Sequence, residues 1–132
     1  MQAITETSLP LPVFQRGKVR DVYDLGTELL LISTDRISAF DVVLPTGVPE
    51  KGRVLNQMSA FWLRKMSGII GNHMVESIDD ADSLERLRTH ANLSDPLPDY
   101  LIGRSMVVRK ANRVPVECVI RGYLSGSAWA EY

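Results

Sequence analysis

The spacing of the apolar residues changes at Arg53, and this change constrains the fold more than any other feature. Before Arg53 the apolar residues form short β-type runs, whereas from Val54 to Ile69 they recur every three or four residues. That period predicts one amphipathic helix, which ends near Gly68. We expect its methionine and aromatic stripe to pack on a sheet. The stripe consists of Val54, Met58, Phe61, Trp62, Met66 and Ile69.

Short β-type runs on both sides of this helix predict the sheet. They lie at 14–26, 29–34, 42–44, 73–78, 104–110 and 116–120. Turn residues separate neighbouring runs, which is typical of antiparallel strands. A short helix at 83–90, capped at Asp82 or Ser83, and an irregular, mobile connection at 91–102 complete the pattern. The sequence therefore predicts an α+β fold, a mostly antiparallel sheet with one main packing helix.

Composition excludes several classes of protein. The net charge is -1 and 45% of the residues are hydrophobic, so any anion site must be a local one and no general attraction to nucleic acid or membrane is expected. No apolar run is long enough to span a bilayer and the start lacks a secretory signal, which favours a cytoplasmic location. The one cysteine, Cys118, lies in an apolar run and is expected to be a small core residue.

The stretch at 114–129 has the layout of an anion site. An apolar run ends at Arg121 and passes into a turn in which Gly122 and Gly126 permit close approach, while Ser125 and Ser127 offer hydroxyl groups. A phosphate or carboxylate fits such a turn. The alternative is a strand followed by an ordinary surface turn, and the residues alone do not separate the two interpretations.

Two earlier segments allow a similar choice. Three cations lie within residues 16–20 around Gly17, where they either neutralise a polyphosphate or form a solvated turn; taken alone, this pattern favours the solvated turn. The polar residues of 35–41, including Asp35 and Ser38, either order one another by local hydrogen bonds or face a substrate.

Three segments, taken in order, carry a resemblance to a known family. They read GKVRDVY at 17–23, TDRISAFD at 34–41 and PVECVIRGYLSGS at 115–127. With NQMS at 56–59 and Trp62 in the same order, the chain from Gly17 onward resembles the SAICAR synthetases, also called phosphoribosylaminoimidazole-succinocarboxamide synthases. The last segment is similar to the family's signature around its substrate site.

This resemblance implies an ATP-dependent ligase of purine biosynthesis. Such enzymes use ATP and Mg²⁺ to join L-aspartate to carboxyaminoimidazole ribonucleotide, releasing ADP and phosphate. The implied organisation is a lead-in arm at 1–13, an ATP-binding lobe at 14–122 that is loosely like the small lobe of protein kinases, and the start of a second lobe at 123–132. The family's second signature, Asp-x-Lys-x-Glu-Phe, is absent. We therefore expect a fragment that is inactive alone. The alternatives are a stand-alone nucleotide-binding module without catalysis and a purely structural domain.

The resemblance also implies roles for individual residues. The expected ATP-binding residues are Gly17, Lys18, Val19, Arg20, Lys110 and Glu117. The expected substrate-binding residues are Arg121, Ser127, Asp35 and Ser38. No metal ligand is expected, because the family's magnesium-binding acids belong to the second lobe and because His73 and His90 have no companion at metal-ligand spacing. The expected partners are small molecules, without nucleic acid or membrane, together with a possible homo-oligomer.

Overall fold

A computed structural model describes residues 2–132. The elements are β1 (Val13–Arg16), β2 (Arg20–Asp24), β3 (Glu28–Ser33), β4 (Ser38–Ala39), β5 (Val42–Val43), α1 (Lys51–Met66), β6 (Met74–Ile78), α2 (Ala81–His90), a short 3-10 helix (Asp99–Leu101), β7 (Ser105–Arg109) and α3 (Ser127–Glu131). Five strands form one antiparallel sheet in the order β1-β2-β3-β7-β6, while β4 and β5 pair separately. The α+β prediction is confirmed.

Helices cover both faces of the sheet, because the strands alternate apolar side chains between two cores. On one face, α2 and the 3-10 helix pack over β2, β3 and β7. The residues of that core are Tyr23, Leu30, Ile32, Ile78, Leu84, Leu87, Leu97, Leu101 and Val107. On the other face, Ala60 and Leu63 of α1 pack on Leu29, Leu31, Met106 and Val108. Strand pairing places Tyr23 opposite Leu30, so neighbouring core residues share one face.

The helix at α1 is confirmed, but the prediction of its packing face is wrong. The buried residues of α1 are Gly52, Asn56 and Ala60. Met58, Phe61 and Trp62 are instead 54%, 54% and 50% exposed. The physical reason is close approach: a Cβ on Gly52 would lie 2.1 Å from the Ser33 carbonyl oxygen. Small residues let the helix backbone approach the sheet, so the bulky stripe points away.

Two sequence predictions between β6 and β7 need correction. The second helix begins at Ala81 and is capped by Asp80, which accepts the Ser83 N–H at 2.8 Å while Ser83 Oγ accepts the Asp80 N–H at 3.0 Å. The connection at 91–102 is anchored, because it contains the 3-10 helix and buries Leu97 and Leu101. These two leucines give the connection apolar contacts, which the prolines and polar residues around them did not indicate in the sequence.

The predicted strand at 116–120 does not form. Residues 110–126 contain no helix or strand, Ile120 is 95% exposed, and Cys118 is exposed instead of lying in the core. An apolar run becomes a strand only where an edge pairs with it and a second layer covers it. Neither contact is made by these residues. The helix expected at Ala128 is present as the short α3, which begins at Ser127.

Residues 2–12 form no helix or strand, yet they lie against the sheet. The Asp35 N–H donates to the Ile4 carbonyl at 2.7 Å, and the Tyr23 hydroxyl donates to the Thr7 carbonyl at 2.9 Å. Thr7 is 2% exposed. We call residues 2–12 the arm. The division of the chain near residues 13 and 122 stays a prediction. Among the helices of residues 2–132, none combines the length and the apolar character that crossing a membrane requires.

Candidate functional site

The hairpin loop at 17–19 joins β1 to β2, and its carbonyl groups all point into the protein. The Gly17 N–H closes the turn by donating to the Arg20 carbonyl at 2.7 Å. Arg36 Nη2 donates to the Gly17 carbonyl at 2.8 Å, and Arg36 Nε donates to the Lys18 carbonyl at 3.1 Å. The Thr34 N–H and hydroxyl both donate to the Val19 carbonyl, at 3.0 and 2.9 Å. The loop is thus held along three consecutive residues. We call residues 17–19 the hairpin loop.

This orientation of the carbonyls directs amide groups outward. In a trans peptide the C=O and the following N–H point in opposite directions, and the described residues contain no cis peptide bond. The N–H groups of Lys18 and Val19 therefore lie on the side away from Arg36. Within residues 2–132 neither of them donates to a protein acceptor. Successive free N–H groups of a turn form a concave anion-binding surface.

The ammonium group of Lys18 lies at the same loop and contacts the Asp41 carboxylate. Both side chains are exposed, and the Lys18 hydrogen bond lowers the pKa of Asp41 below its ordinary value. An exposed ion pair adds little to stability, so an incoming anion can replace Asp41 at little cost. The first two segments of the resemblance, at 17–23 and 34–41, therefore meet in space.

Asp21 anchors the loop from behind. Its carboxylate, fully buried, accepts hydrogen bonds from Arg16 Nη1 at 2.9 Å, Arg36 Nη2 at 2.8 Å and the Thr7 hydroxyl at 2.7 Å. Burial opposes its ionisation. Hydrogen bonds from Arg36 and Thr7, and then the charges of Arg36 and Arg16, outweigh that effect and hold the pKa of Asp21 below its ordinary value.

We expect the stability of the protein to fall in acid because of Asp21 and Asp35. Both carboxyl groups have a pKa below the ordinary value of 3.8 in the folded state. A lowered pKa stabilises the fold fully above the unfolded-state value, and this stabilisation is lost as the pH drops below 3.8 towards the folded-state values. Urea unfolding at a series of pH values measures it. The Asp21→Asn variant should lose part of the acid slope; an unchanged slope would contradict the assignment.

The structure places Asp35 in the interior and not at an open cleft. One carboxylate oxygen accepts the Gly52 N–H at 2.8 Å and Arg104 Nη1 at 2.9 Å, and the other accepts the Ile4 N–H at 2.8 Å. Asp35 is 0% exposed. Both carboxylate oxygens are engaged within the protein, which gives Asp35 a structural role, and its expected substrate contact stays a prediction. Ser38 is half-buried in β4 and pairs with Val43.

Arg20 and Lys110 lie at two different cavities beside the sheet. Arg20 lines a cavity of about 360 Å³ between the sheet and α1, together with Leu31, Asn56 and Trp62. Lys110 lines another, of about 570 Å³, formed by Phe14, Gln15, Leu29, Lys110, Ala111, Asn112 and Arg113. The Lys110 ammonium group itself donates to the Asp24 carboxylate at 2.7 Å and to the Gly26 carbonyl at 2.6 Å. Lys110 thus fastens the turn after β7 to the turn after β2.

The structure brings Arg121 and Ser127 together at the start of α3. Arg121 Nη2 donates to the Ser127 hydroxyl at 3.0 Å. Gly126 has a φ of 60°, a backbone conformation that residues with a side chain rarely adopt, so this turn favours a glycine. Both side chains are exposed. Glu117 is exposed as well, in the stretch without regular structure.

Sequence reasoning missed the part that Arg36 and Thr34 play. Thr34 ends the predicted strand at 29–34, and Arg36 lies in the polar segment 35–41, for which local hydrogen bonds and substrate contacts are the alternatives. Their partners lie 15 to 31 residues earlier in the chain. No local pattern reports a contact over that distance; only the pairing of β2 with β3 brings the two segments together.

Within residues 2–132 no group of three or more histidine, cysteine, aspartate or glutamate side chains is arranged to hold a metal ion. His90 contacts Glu28 at 2.9 Å, but no third ligand joins them.

Comparison with known proteins agrees with the sequence motifs. Phosphoribosylaminoimidazole-succinocarboxamide synthase of Thermodesulfovibrio yellowstonii is 49% identical over 133 residues, covering 98% of this chain and 42% of the relative. The protein of the same name from Rhodopirellula baltica is 51% identical over 140 residues, covering 98% and 43%. The solved structure described as SAICAR-synthase from Saccharomyces cerevisiae complexed SAICAR has a TM-score of 0.82 and 40% identity, covering 98% of this chain and 44% of that one.

The chain spans less than half the length of the curated relatives it matches. The family match nevertheless covers almost all of this chain. The family described as SAICAR synthetase matches residues 13–132, which include the hairpin loop, the whole sheet and the Arg121 and Ser127 contact. The resemblance found in the three sequence segments is confirmed, and this chain belongs to the SAICAR synthetase family.

Proposed function

We propose that this chain is the nucleotide-binding part of an ATP-dependent ligase of purine biosynthesis. The reaction joins L-aspartate to carboxyaminoimidazole ribonucleotide and releases ADP and phosphate. Membership of the family supports it, as do the relatives named phosphoribosylaminoimidazole-succinocarboxamide synthase. The observation that carries it is the hairpin loop, whose Lys18 and Val19 N–H groups point away from the protein beside the Lys18 ammonium group.

The chemistry explains why such a loop is needed. A carboxylate resists nucleophiles because it is negatively charged. In the proposed first step a carboxylate oxygen of the ribonucleotide attacks the γ-phosphorus of ATP, and ADP leaves. The aspartate amine then attacks the carbonyl carbon, phosphate leaves, and the nitrogen loses a proton to give the amide. Charge accumulates on the phosphate oxygens, where amide N–H groups and a lysine stabilise it best.

We assign the described residues to the two substrates. Gly17, Lys18 and Val19 hold the ATP phosphates, and Arg20 lies at the adjoining cavity. Lys110 lines the cavity of about 570 Å³ beside the turn after β7, and we propose that this cavity takes the adenine, with Glu117 as a hydrogen-bond acceptor for the nucleotide. Arg121 and Ser127, which already contact each other, form a bidentate donor pair suited to the phosphate or carboxylate of the ribonucleotide. Ser38 stays a weaker candidate for substrate binding.

Magnesium enters this proposal only with the nucleotide. We expect ATP to arrive as its magnesium complex, because Mg²⁺ is commonly bound through the phosphates of a nucleotide.

A nucleotide-binding module without catalysis is the second candidate, because the hairpin loop suits phosphate binding whether or not a reaction follows. The chain covers 42% of the Thermodesulfovibrio relative, so the remaining part of that protein has no counterpart in this chain. Both candidates predict binding of ATP by the hairpin loop. They differ in whether the chain turns over substrate when the remaining part is supplied.

A chimaera distinguishes the ligase from the nucleotide-binding module without catalysis. Residues 2–132 are joined to the part of the Thermodesulfovibrio relative that follows the matched region, and product is measured with ATP, ribonucleotide and aspartate. We expect the chimaera to form product and the 132-residue chain alone to form none, because half of the closing surface is missing. Product from the isolated chain would contradict its assignment as a part. A folded chimaera without turnover would contradict the ligase proposal.

The loop assignment is checked in the same chimaera. Lys18→Ala should lower kcat/KM for ATP by about 100-fold, in the range seen when one charge-stabilising donor is removed. Lys65→Ala is the matched control, because Lys65 is exposed on α1, where its ammonium group lies over Phe61 and Trp62. Equal effects of the two substitutions would count against the loop.

A further inference from the structure

We propose that Arg36 is the positioning residue of the hairpin loop, and that through Arg36 the arm supports the nucleotide site. This inference rests on the proposed function, because the loop is taken to hold the ATP phosphates. Arg36 itself does not touch the nucleotide in this proposal. It fixes the direction in which the Lys18 and Val19 N–H groups point.

The guanidinium group of Arg36 donates four hydrogen bonds within the protein. Nε donates to the Lys18 carbonyl at 3.1 Å, while Nη2 donates both to the Gly17 carbonyl at 2.8 Å and to Asp21 Oδ1 at 2.8 Å. Nη1 donates to the Thr5 carbonyl at 2.7 Å. The side chain is 13% exposed. One planar group therefore joins the loop, the strand behind it and the arm.

Geometry makes this an arginine function. The guanidinium presents its N–H donors in a rigid, planar fork, so binding two consecutive carbonyls fixes the tilt of both peptides. A lysine ammonium group has three donors on one atom and keeps the charge opposite Asp21, but it does not reach the same set of acceptors in one orientation. An Arg36→Lys substitution thus removes the fork and retains the charge.

The arm contacts both Arg36 and Asp21. The Thr5 carbonyl engages Nη1, and the Thr7 hydroxyl donates to Asp21 Oδ2 at 2.7 Å. Arg16 Nη2 donates to the Thr7 carbonyl at 3.0 Å. Asp21 in turn holds Arg36. The arm therefore contacts the loop support at two points, directly at Arg36 and indirectly through Asp21.

Arg16 provides a matched control. It bonds the same carboxylate as Arg36, and it also bonds an arm carbonyl, but it makes no bond to a carbonyl of the hairpin loop. Arg16→Lys and Arg36→Lys both retain a positive charge beside Asp21. Any difference between the two variants reports the contact with the loop carbonyls.

The first measurement needs no nucleotide. Backbone ¹⁵N relaxation of the 132-residue chain gives order parameters for Gly17, Lys18 and Val19. We expect values of about 0.85 in the wild type and in Arg16→Lys, and values below about 0.6 in Arg36→Lys, which correspond to rigid and flexible backbone. Unchanged order parameters in Arg36→Lys would overturn the proposal, whether or not the chain binds ATP.

The second measurement compares two ligands by NMR titration of the same chains. ATP has the phosphates that the loop is proposed to hold, whereas adenosine lacks them. In Arg36→Lys the Kd for ATP should rise about 10-fold to 100-fold, the effect of losing one or two charge-assisted hydrogen bonds, while the Kd for adenosine stays the same. Arg16→Lys should leave the ratio of the two unchanged.

The outcomes separate the inference from the proposed function. A more mobile loop in Arg36→Lys with an unchanged ratio of the two Kd values would overturn the positioning role. A general loss of folding would raise both Kd values together, which also contradicts it. If wild-type chain does not respond to ATP at the loop, the proposed function fails at this site, and the order parameters alone then show that Arg36 holds the loop without serving a nucleotide.

Discussion

Replacing Asp35 by alanine is expected to lower the free energy of unfolding by about 3–5 kcal/mol, the usual cost of removing one partner of a buried ion pair. Arg104 is 2% exposed, so its buried charge would be left with only the more distant Glu50 carboxylate, at 3.7 Å. The same substitution removes the acceptor for the Gly52 and Ile4 N–H groups. The loss thus reaches the start of α1, the arm and β7 together. Urea unfolding at neutral pH measures it.

Asp95→Ala is the control for this substitution. Asp95 is exposed in the connection after α2 and forms no ion pair with the described residues. Its replacement should change the free energy of unfolding by no more than about 0.5 kcal/mol, as at most surface positions. A small effect of Asp35→Ala, combined with a large loss of ribonucleotide binding in the chimaera, would restore Asp35 as a substrate residue and contradict the structural role.

Gly52→Ala is expected to destabilise the protein by about 2–3 kcal/mol through overlap with the sheet. The added Cβ would lie 2.1 Å from the Ser33 carbonyl oxygen and 2.9 Å from the Thr34 carbonyl carbon. These are backbone atoms of β3 and of the segment after it, so no side chain can turn away to relieve the contact. Alanine is favoured over glycine within a helix by about 1 kcal/mol, but the overlap is larger and decides the sign.

Gly68→Ala tests the same exchange where space is open. No atom lies within 4 Å of a Cβ at Gly68, and its φ is not in the left-handed region. The substitution should therefore be neutral or stabilise by up to about 1 kcal/mol through the unfolded state. Thermal unfolding of both variants measures the contrast. If both glycines behaved alike, the close contact of α1 with β3 would not be the reason that Gly52 is required.

The strands and the main helix were predictable because local patterns determine them. Alternation at 19–25 and the apolar run at 29–34 correspond to β2 and β3, and the change of period at Arg53 corresponds to α1. The face of α1 was not predictable in the same way. Hydrophobic periodicity weights large side chains, while close packing on this sheet is made by Gly52, Asn56 and Ala60, which carry little hydrophobic signal.

For the candidate site too, the sequence predicted some residues and missed others. The resemblance located the hairpin loop and the pair of Arg121 and Ser127, which the structure shows in contact. It did not show that Asp35 serves the interior or that Arg36 holds the loop, because these contacts join residues far apart in the chain. The apolar run at 116–120 failed as a strand for a related reason: β propensity does not provide a pairing edge.

Residues 33–36, at the end of β3 and just after it, do not tolerate an inserted residue. Ser33 meets Gly52, Thr34 holds Val19, Asp35 binds Arg104, and Arg36 holds the hairpin loop. One inserted residue would place each side chain beside the wrong neighbour. The turn at 68–71 is the opposite case, since Gly68 and Gly71 are surrounded by open space. A label or peptide insertion therefore belongs in that turn, where the chain can lengthen without displacing any of these four contacts.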